Sequence, residues 1–445
     1  MNKAELALAV SFLMAAGGLS TAAAQSKTLA ECVELGLQNS RSLHGAVLKN
    51  RQLQAGLAEA GTARLPSLVL GARYSRLSPL AGGTVQITTP FAATIALPST
   101  IEDNYSLTAS LQQPLFTGLR IRHSIAQARA LLEQGTSEYR QSRQELLYQV
   151  RLYFWNLVKA QEVLKYISDN IEQVKAHLKE IEDLYARGLV TYNEVLKGRL
   201  RLADAALREL EAENTRALAQ ARLNVLIGLP PQAAFEPAYT FQLNPEPPGP
   251  LEDLIAVALG QRPESAALQQ RLKAARESIG VARSGWYPGV FLVGNYQYAL
   301  PNPRQFPPTG SFLSTWDVGI VASVDPGRWP AVARRTEQAV SQLAQAQEAL
   351  GQLEDAIALE VIQAYLELKK SGEQIGVAEQ IVQQAEENYK ITDRRFENGL
   401  ALSTDVLDAE LARLQGNLQL SQARVDNQIA QAALLRALGS ESPGE

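Results

Sequence analysis

The chain has 445 residues, a formal net charge of −4, one cysteine, three histidines and two methionines. Its acidic and basic residues are interspersed, so it offers no basic stripe to a nucleic acid, and a single cysteine excludes an internal disulfide framework. No stretch of about 18 apolar residues exists to cross a bilayer as a helix, so a mature chain that enters a membrane must do so another way.

The N-terminus reads as an export signal, residues 1–24. Lys3 precedes an apolar run from Leu6 to Leu19 and a small-residue site, Ala22-Ala23-Ala24, a pattern that is removed and carries no fold information. The roughly 420 residues that remain are enough for two or three ordinary domains. The next segment has a helical polar-apolar period. Within it, Leu29-Ala30-Glu31-Cys32 has a loose likeness to a lipoprotein cleavage site. Glu31 is wrong for such a site and the apolar run ends well upstream, so Cys32 reads first as a helix-face thiol and only second as a lipid anchor.

Two stretches then alternate with period two. Leu68, Leu70, Ala72 and Tyr74 oppose Val69, Gly71, Arg73 and Ser75; Tyr105, Leu107, Ala109 and Leu111 oppose Asn104, Ser106, Thr108, Ser110 and Gln112. We expect strands over about 67–77 and 104–116, joined by a long connection from Ser78 to Asp103. After Gly118 the period becomes helical: Val150, Phe154, Leu157, Leu164, Ile167, Ile171, Val174, Leu178, Ile181 and Tyr185 follow at threes and fours. A near-3.5 repeat held this long calls for coiled-coil packing. The expected helix over 118–187 would reach roughly 100 Å at 1.5 Å per residue, and a second helix over 192–228 runs back from a Gly-Leu turn.

A Pro-rich connector, 230–250, separates this first segment (25–229) from a second (251–439) that repeats it, ahead of a short tail at 440–445. Pro66 and Pro288 occupy equivalent places, Tyr74 falls opposite Tyr296, and Tyr185-Ala186-Arg187-Gly188-Leu189 matches Phe396-Glu397-Asn398-Gly399-Leu400. Matches at separated places in one order point to tandem duplication. The second segment is expected to hold strands at 289–298 and 314–324, with Val290, Leu292, Gly294, Tyr296 and Tyr298 alternating in the first and Trp316, Val318, Ile320, Ala322 and Val324 in the second. Long helices follow at 331–398 and 403–438.

The fold class is therefore mainly α with a β-barrel part: two tandem repeats, each an antiparallel coiled-coil hairpin plus two of the four amphipathic strands. Strands of nine to eleven residues with one apolar face suit a tilted bilayer crossing. A soluble sandwich capped by helices is the competing reading, since alternation alone does not distinguish lipid from protein core. Four strands, however, leave open edges that neither lipid nor water tolerates well, and membrane barrels need at least about eight strands to close. Several chains must then share one barrel.

The order of these parts resembles the TolC-type outer membrane efflux proteins over essentially the whole mature chain. The most telling segments are Thr28-Leu29-Ala30-Glu31-Cys32-Val33-Glu34-Leu35, Gln113-Pro114-Leu115-Phe116-Thr117-Gly118, and Arg395-Phe396-Glu397-Asn398-Gly399 leading to Asp405-Val406-Leu407-Asp408-Ala409. The resemblance implies a homotrimer with a shared 12-stranded barrel in outer-membrane lipid and a twelve-helix periplasmic tunnel. The tunnel would dock a periplasmic adaptor (membrane fusion) protein tethered to an inner-membrane pump. By the same likeness, Gly188, Leu189, Val190 and Thr191, with Gly399, Leu400, Ala401 and Ser403, form adaptor-contact tips. Physically, Gly ends a helix left-handed, Leu is left exposed, and Thr or Ser can cap the helix that follows; plain helix turns would look the same.

Asp405 and Asp408 match the family's acidic pore constriction and lie three apart on one helix face. Threefold symmetry would make of them a carboxylate ring selective for cations; as ordinary solvated residues, Asp405 would simply favour the helix dipole. Phe396 and Ala401 stand where closed members place a locking tyrosine and its arginine partner, and neither can make that bond.

Nothing in the sequence suggests an enzyme. His44, His123 and His177 lack a second ligand at zinc spacing, no phosphate-binding glycine loop appears, and helical carboxylates alternate with Lys and Arg as on a solvated face. We expect no cofactor, no metal and no nucleic-acid partner. The function read is a passive outer-membrane conduit of a tripartite efflux or secretion system, its cargo unspecified. A periplasmic adaptor or coiled-coil scaffold is the alternative, although an adaptor would normally place one hairpin inside a β-rich chain.

Overall fold

A computed structural model describes residues 26–87, 90, 93–96, 99–242 and 247–440. The proposed leader and all but the first residue of the tail lie outside them. In chain order the elements are β1 (Ser26–Thr28), α1 (Leu29–Asn39), α2 (Arg41–Thr62), β2 (Ser67–Arg76), β3 (Thr84–Ile87), β4 (Ala93–Ala96), β5 (Asp103–Thr117), α3 (Arg120–Ala186) and α4 (Tyr192–Ile227). Then come β6 (Glu236–Ala238), α5 (Leu251–Gln261), α6 (Pro263–Arg283), β7 (Gly289–Leu300), β8 (Leu313–Ser323), α7 (Trp329–Glu397) and α8 (Ser403–Ala437). Every expected strand and long-helix boundary falls within two residues of these limits.

Local chemistry starts the helices where they start. Thr28 Oγ1 accepts from the Glu31 N–H at 3.3 Å while the Thr28 N–H donates to Glu31 Oε2 at 2.8 Å, a reciprocal cap that opens α1. Ser40 caps α2 through the Leu43 N–H, and Pro263 begins α6 where no donor is missed. Cys32 is fully buried beside Val150 and Phe154. Between β5 and α3, Gly118 takes φ +61°, and a Cβ there would lie 2.5 Å from the Ser284 carbonyl oxygen, so no larger residue fits the corner.

The coiled-coil stripes become the core. Val150, Phe154, Leu157 and Val158 of α3 meet Leu223 and Ile227 of α4 and Val425 of α8; Ile357, Val361 and Leu368 of α7 meet Leu434 and Ala437 of α8. At 67 and 69 residues, α3 and α7 each extend about 100 Å. Nearer the tips the helices lie side by side as α4, α3, α8, α7; nearer the sheet the order is α2, α3, α6, α7.

The four long strands form one antiparallel sheet in the order β2-β5-β7-β8. Leu70 faces Ala109, Ala109 faces Tyr296 and Tyr296 faces Trp316. The apolar sets of all four strands therefore share one face.

Two features were not foreseen. The long connection from Ser78 to Asp103 carries the small hairpin β3-β4. The Pro-rich connector is no free linker either: β6 pairs in parallel with β1, Phe241 stacks on Trp155 with ring centroids 5.6 Å apart, and the Tyr239 hydroxyl donates to Glu162 at 2.5 Å. Aromatic residues spaced two apart among the prolines give that strand something to bury.

Candidate functional site: the helical tips and the amphipathic sheet

Each long hairpin turns through a left-handed glycine. Gly188 has φ +74° and Gly399 φ +71°, and both turns carry the same pair of bonds. The Gly188 N–H donates to Tyr185 O at 2.9 Å and Leu189 to Leu184 O at 3.0 Å; Gly399 donates to Phe396 O at 2.9 Å and Leu400 to Arg395 O at 2.7 Å. This is the helix-ending motif that satisfies the last carbonyls, and it leaves Leu189 and Leu400 exposed by more than two thirds. Leu402 is equally bare. Val190 and Ala401 are half-buried and Thr191 is exposed.

The expected capping by Thr191 and Ser403 is not what forms. Thr191 precedes α4 without a side-chain bond. Ser403 is the first residue of α8 and 4% exposed, its Oγ 3.2 Å from His177 Nε2. It therefore leaves the set of exposed contact residues, because the apolar stripe of α8 starts there and turns it inward. Asp405 supplies the cap instead, its carboxylate accepting from the Leu402 N–H at 2.9 Å.

Asp405 and Asp408 are both exposed on α8. Asp408 pairs with Arg201 of α4 at 2.7 Å, a tie between the two hairpins that helical spacing within one segment had no means of revealing. A groove beside it is lined by Lys197, Arg201, Asp204, Thr404 and Asp408. Among the described residues, no group of histidine, cysteine and carboxylate side chains could hold a metal ion.

Just above the tips, buried polar residues stitch α3 to α7 and α8. His177 contacts Ser403, stands 3.6 Å from Glu180 and meets the Phe396 ring edge-on at 5.1 Å; burial lowers its pKa against the opposing pull of Glu180. Glu410, 3% exposed, accepts from Asn170 Nδ2 at 3.1 Å. Burial pushes its carboxyl up to about 7, against the opposing pull of Arg413 and Asn170. Arg413 lies over the Tyr389 ring at 4.0 Å and also reaches Gln173. The sequence did carry a signal for Glu410: with Ser403, Val406, Leu407 and Leu414 it keeps the spacing of a core stripe, where a carboxylate is out of place.

At the other end, the apolar face of the sheet is bare. Leu68, Leu70, Trp316, Val318 and Ile320 are each exposed by more than 60%, and among the described residues no helix packs across them. Aromatic residues gather at both ends of that face: Trp286 and Trp329 lie 5.8 Å apart where the helices join, while Tyr74, Tyr105, Phe312 and Tyr298 form a chain of contacts at the far end. The opposite face carries Arg73, Asn104, Ser106, Thr108, Asn295 and Asp317. Among the described residues, the outer edges of β2 and β8 have no partner strand.

An amphipathic sheet with an uncovered apolar face, mounted on 100 Å helical hairpins, is the architecture of an outer-membrane export channel subunit. The comparisons with known proteins agree. The family model described as Outer membrane efflux protein matches residues 32–229 and 254–440. The pyoverdine export outer membrane protein OpmQ of Pseudomonas putida is 26% identical over 432 residues, covering 93% of this chain and 86% of its own. The alkaline protease secretion protein AprF of Pseudomonas aeruginosa is 26% identical over 340 residues, covering 75% and 69%. The crystal structure of the outer membrane protein VceC from Vibrio cholerae superposes with a TM-score of 0.76 at 20% identity, covering 93% of this chain and 96% of that one. The chain belongs to the outer membrane efflux protein family and is an outer-membrane protein.

Proposed function

We propose that three copies of the chain close a 12-stranded barrel in the outer membrane over a helical periplasmic tunnel, forming a passive conduit that docks an adaptor and an inner-membrane pump. One observation carries this reading: at every level the chain is a slab with an apolar or unpaired flank on each side. β2 and α4 occupy one flank, β8 and α7 the other. The free strand edges run antiparallel to one another, so β8 of one copy can pair with β2 of the next and leave no edge. Along the helices, Leu200, Leu207 and Val225 of α4 and Leu359, Leu366 and Val377 of α7 are exposed by half or more, as facing stripes would be before assembly. A ten-residue strand is about 33 Å long and spans about 25 Å at a tilt of about 40°, the height of a barrel's apolar band.

The two segments 25–229 and 251–439 read as tandem repeats, which is why each supplies one strand pair and one long hairpin. The exposed leucines Leu189 and Leu400, with Gly188, Val190, Thr191, Gly399 and Ala401, are the proposed adaptor contact. Asp405 and Asp408 are the proposed acidic constriction, with Arg201 neutralising part of it. One relative is named for alkaline protease secretion and another for pyoverdine export, so the tube itself does not define the cargo. Nothing in the site suggests chemistry, and the channel is not an enzyme in this reading.

Expression in a bacterium lacking its own export channels tests the proposal. Detergent-dependent extraction from the outer membrane, conductance in planar bilayers and restored export are expected; a detergent-free soluble protein without conductance would revive the adaptor or scaffold reading.

A further inference from the structure

The connection between β7 and β8, residues 301–312, lies at the end of the sheet farthest from the helices. It does not extend away from the sheet. Asn302 is 1% exposed; its Nδ2 donates to Leu313 O at 2.9 Å and to Thr315 Oγ1 at 3.3 Å, and its Oδ1 accepts from the Arg304 N–H at 2.9 Å. Arg304 then reaches back along β8, donating to Trp316 O at 2.9 Å and to Asp317 Oδ1. The second Asp317 oxygen accepts from Asn295 Nδ2 at 3.0 Å across the β7-β8 pair. Thr315, Asp317, Asn295 and Ala299 all belong to the polar face, and Ala299 is only 2% exposed. Residues 301–304 are thus tied down on the face opposite the lipid-type one. Pro303, Pro307 and Pro308 stiffen the segment by fixing φ, and Phe306, 82% exposed, projects from it.

We infer that residues 301–312 form a strap bent over the lumenal end of the barrel, and that its hold on Asn302 and the Arg304–Asp317 pair sets the size limit at the pore's outer exit. The assignment rests on the barrel reading, which makes the polar face the lumen. Repeated around the assembly, each strap subtracts from the aperture, and pore diameter is what a passive conduit uses to select by size. The division of labour follows from exposure. An ion pair in water holds a loop weakly, whereas a buried amide whose donor and acceptor are both satisfied fixes the strap's root. Losing Asn302 should free the strap's root; losing Arg304 should let its far half swing.

The test is polymer exclusion in planar bilayers. Neutral polyethylene glycols of graded size are added to the strap side or the helix side, with wild type compared against Asn302→Ala, Arg304→Ala and the charge-exchanged pair Arg304→Asp/Asp317→Arg. We expect the strap-side cut-off to shift to larger polymers in both single variants, more for Asn302→Ala, and to return toward wild type in the exchanged pair. The helix-side cut-off stays fixed. Arg304 is half exposed, so its loss should leave assembly intact and its variant decides the matter even where Asn302→Ala fails to assemble. A conducting wild type with an unmoved strap-side cut-off in Arg304→Ala overturns the strap alone. A wild type that conducts nothing overturns the barrel reading and the strap with it.

Discussion

Replacing Glu410 with glutamine removes a buried carboxyl from the seam between the two hairpins and leaves its shape and its bond from Asn170 in place. The carboxyl's rise from an ordinary 4.5 to about 7 corresponds to about 3 kcal/mol per chain, at about 1.36 kcal/mol for each tenfold change in proton affinity. The sign follows from which form is buried. Below pH 4.5 the group is protonated whether the chain is folded or not, and its full contribution is present. As pH rises from 4.5 toward 7 the folded protein holds a proton that the unfolded chain has released, so stability falls until the carboxylate ionises in place at about 7. Glutamine has no proton to lose. Thermal unfolding of the detergent-solubilised protein between pH 5 and 8.5 should therefore give similar midpoints at the acid end and a variant that pulls ahead of wild type on the alkaline side. Parallel curves across the range would refute the account of the seam.

His177 should behave in the opposite sense. Its lowered pKa favours the neutral ring in the folded state, so its contribution is lost as pH falls below about 6.5, and a His177→Asn variant melted at pH 5 and 7.5 should show a smaller acid-side loss than wild type. Changing Leu189 and Leu400 to Asp should leave assembly and bilayer conductance intact while export in cells is lost; unchanged export would reduce the tips to plain turns. Asp405→Ala/Asp408→Ala should weaken cation selectivity and cation blockade, and Arg201→Ala should strengthen both by unmasking Asp408. Selectivity indifferent to all three changes would remove the acidic ring.

Elements set by periodicity were legible in the sequence. The 3.5-residue stripe through Val150 to Tyr185, with the repeat of its segment further along the chain, announced the long helices, and strict alternation from Leu68 and from Tyr105 announced the strands, because each pattern repeats many times and one buried face enforces it. The left-handed turns at Gly188 and Gly399 were equally readable. Contacts between distant segments were not. The Arg201–Asp408 tie, the meeting of Ser403 with His177, the parallel pairing of β1 with β6 and the folding of Asn302 onto Thr315 depend on which helices and strands end up adjacent, which one segment's spacing does not encode. Glu410 lies between these cases: its position in an apolar stripe was visible, but its partner Asn170, 240 residues away, was not.

On the trimeric reading, no single chain owns a closed barrel. Electron cryo-microscopy of the detergent-purified assembly shows whether the wall is shared. We predict a threefold ring in which β2 of each copy pairs antiparallel with β8 of the next and the apolar face contacts detergent. An isolated chain with both strand edges unpaired, or a sheet whose apolar face is covered by its own helices, would contradict it.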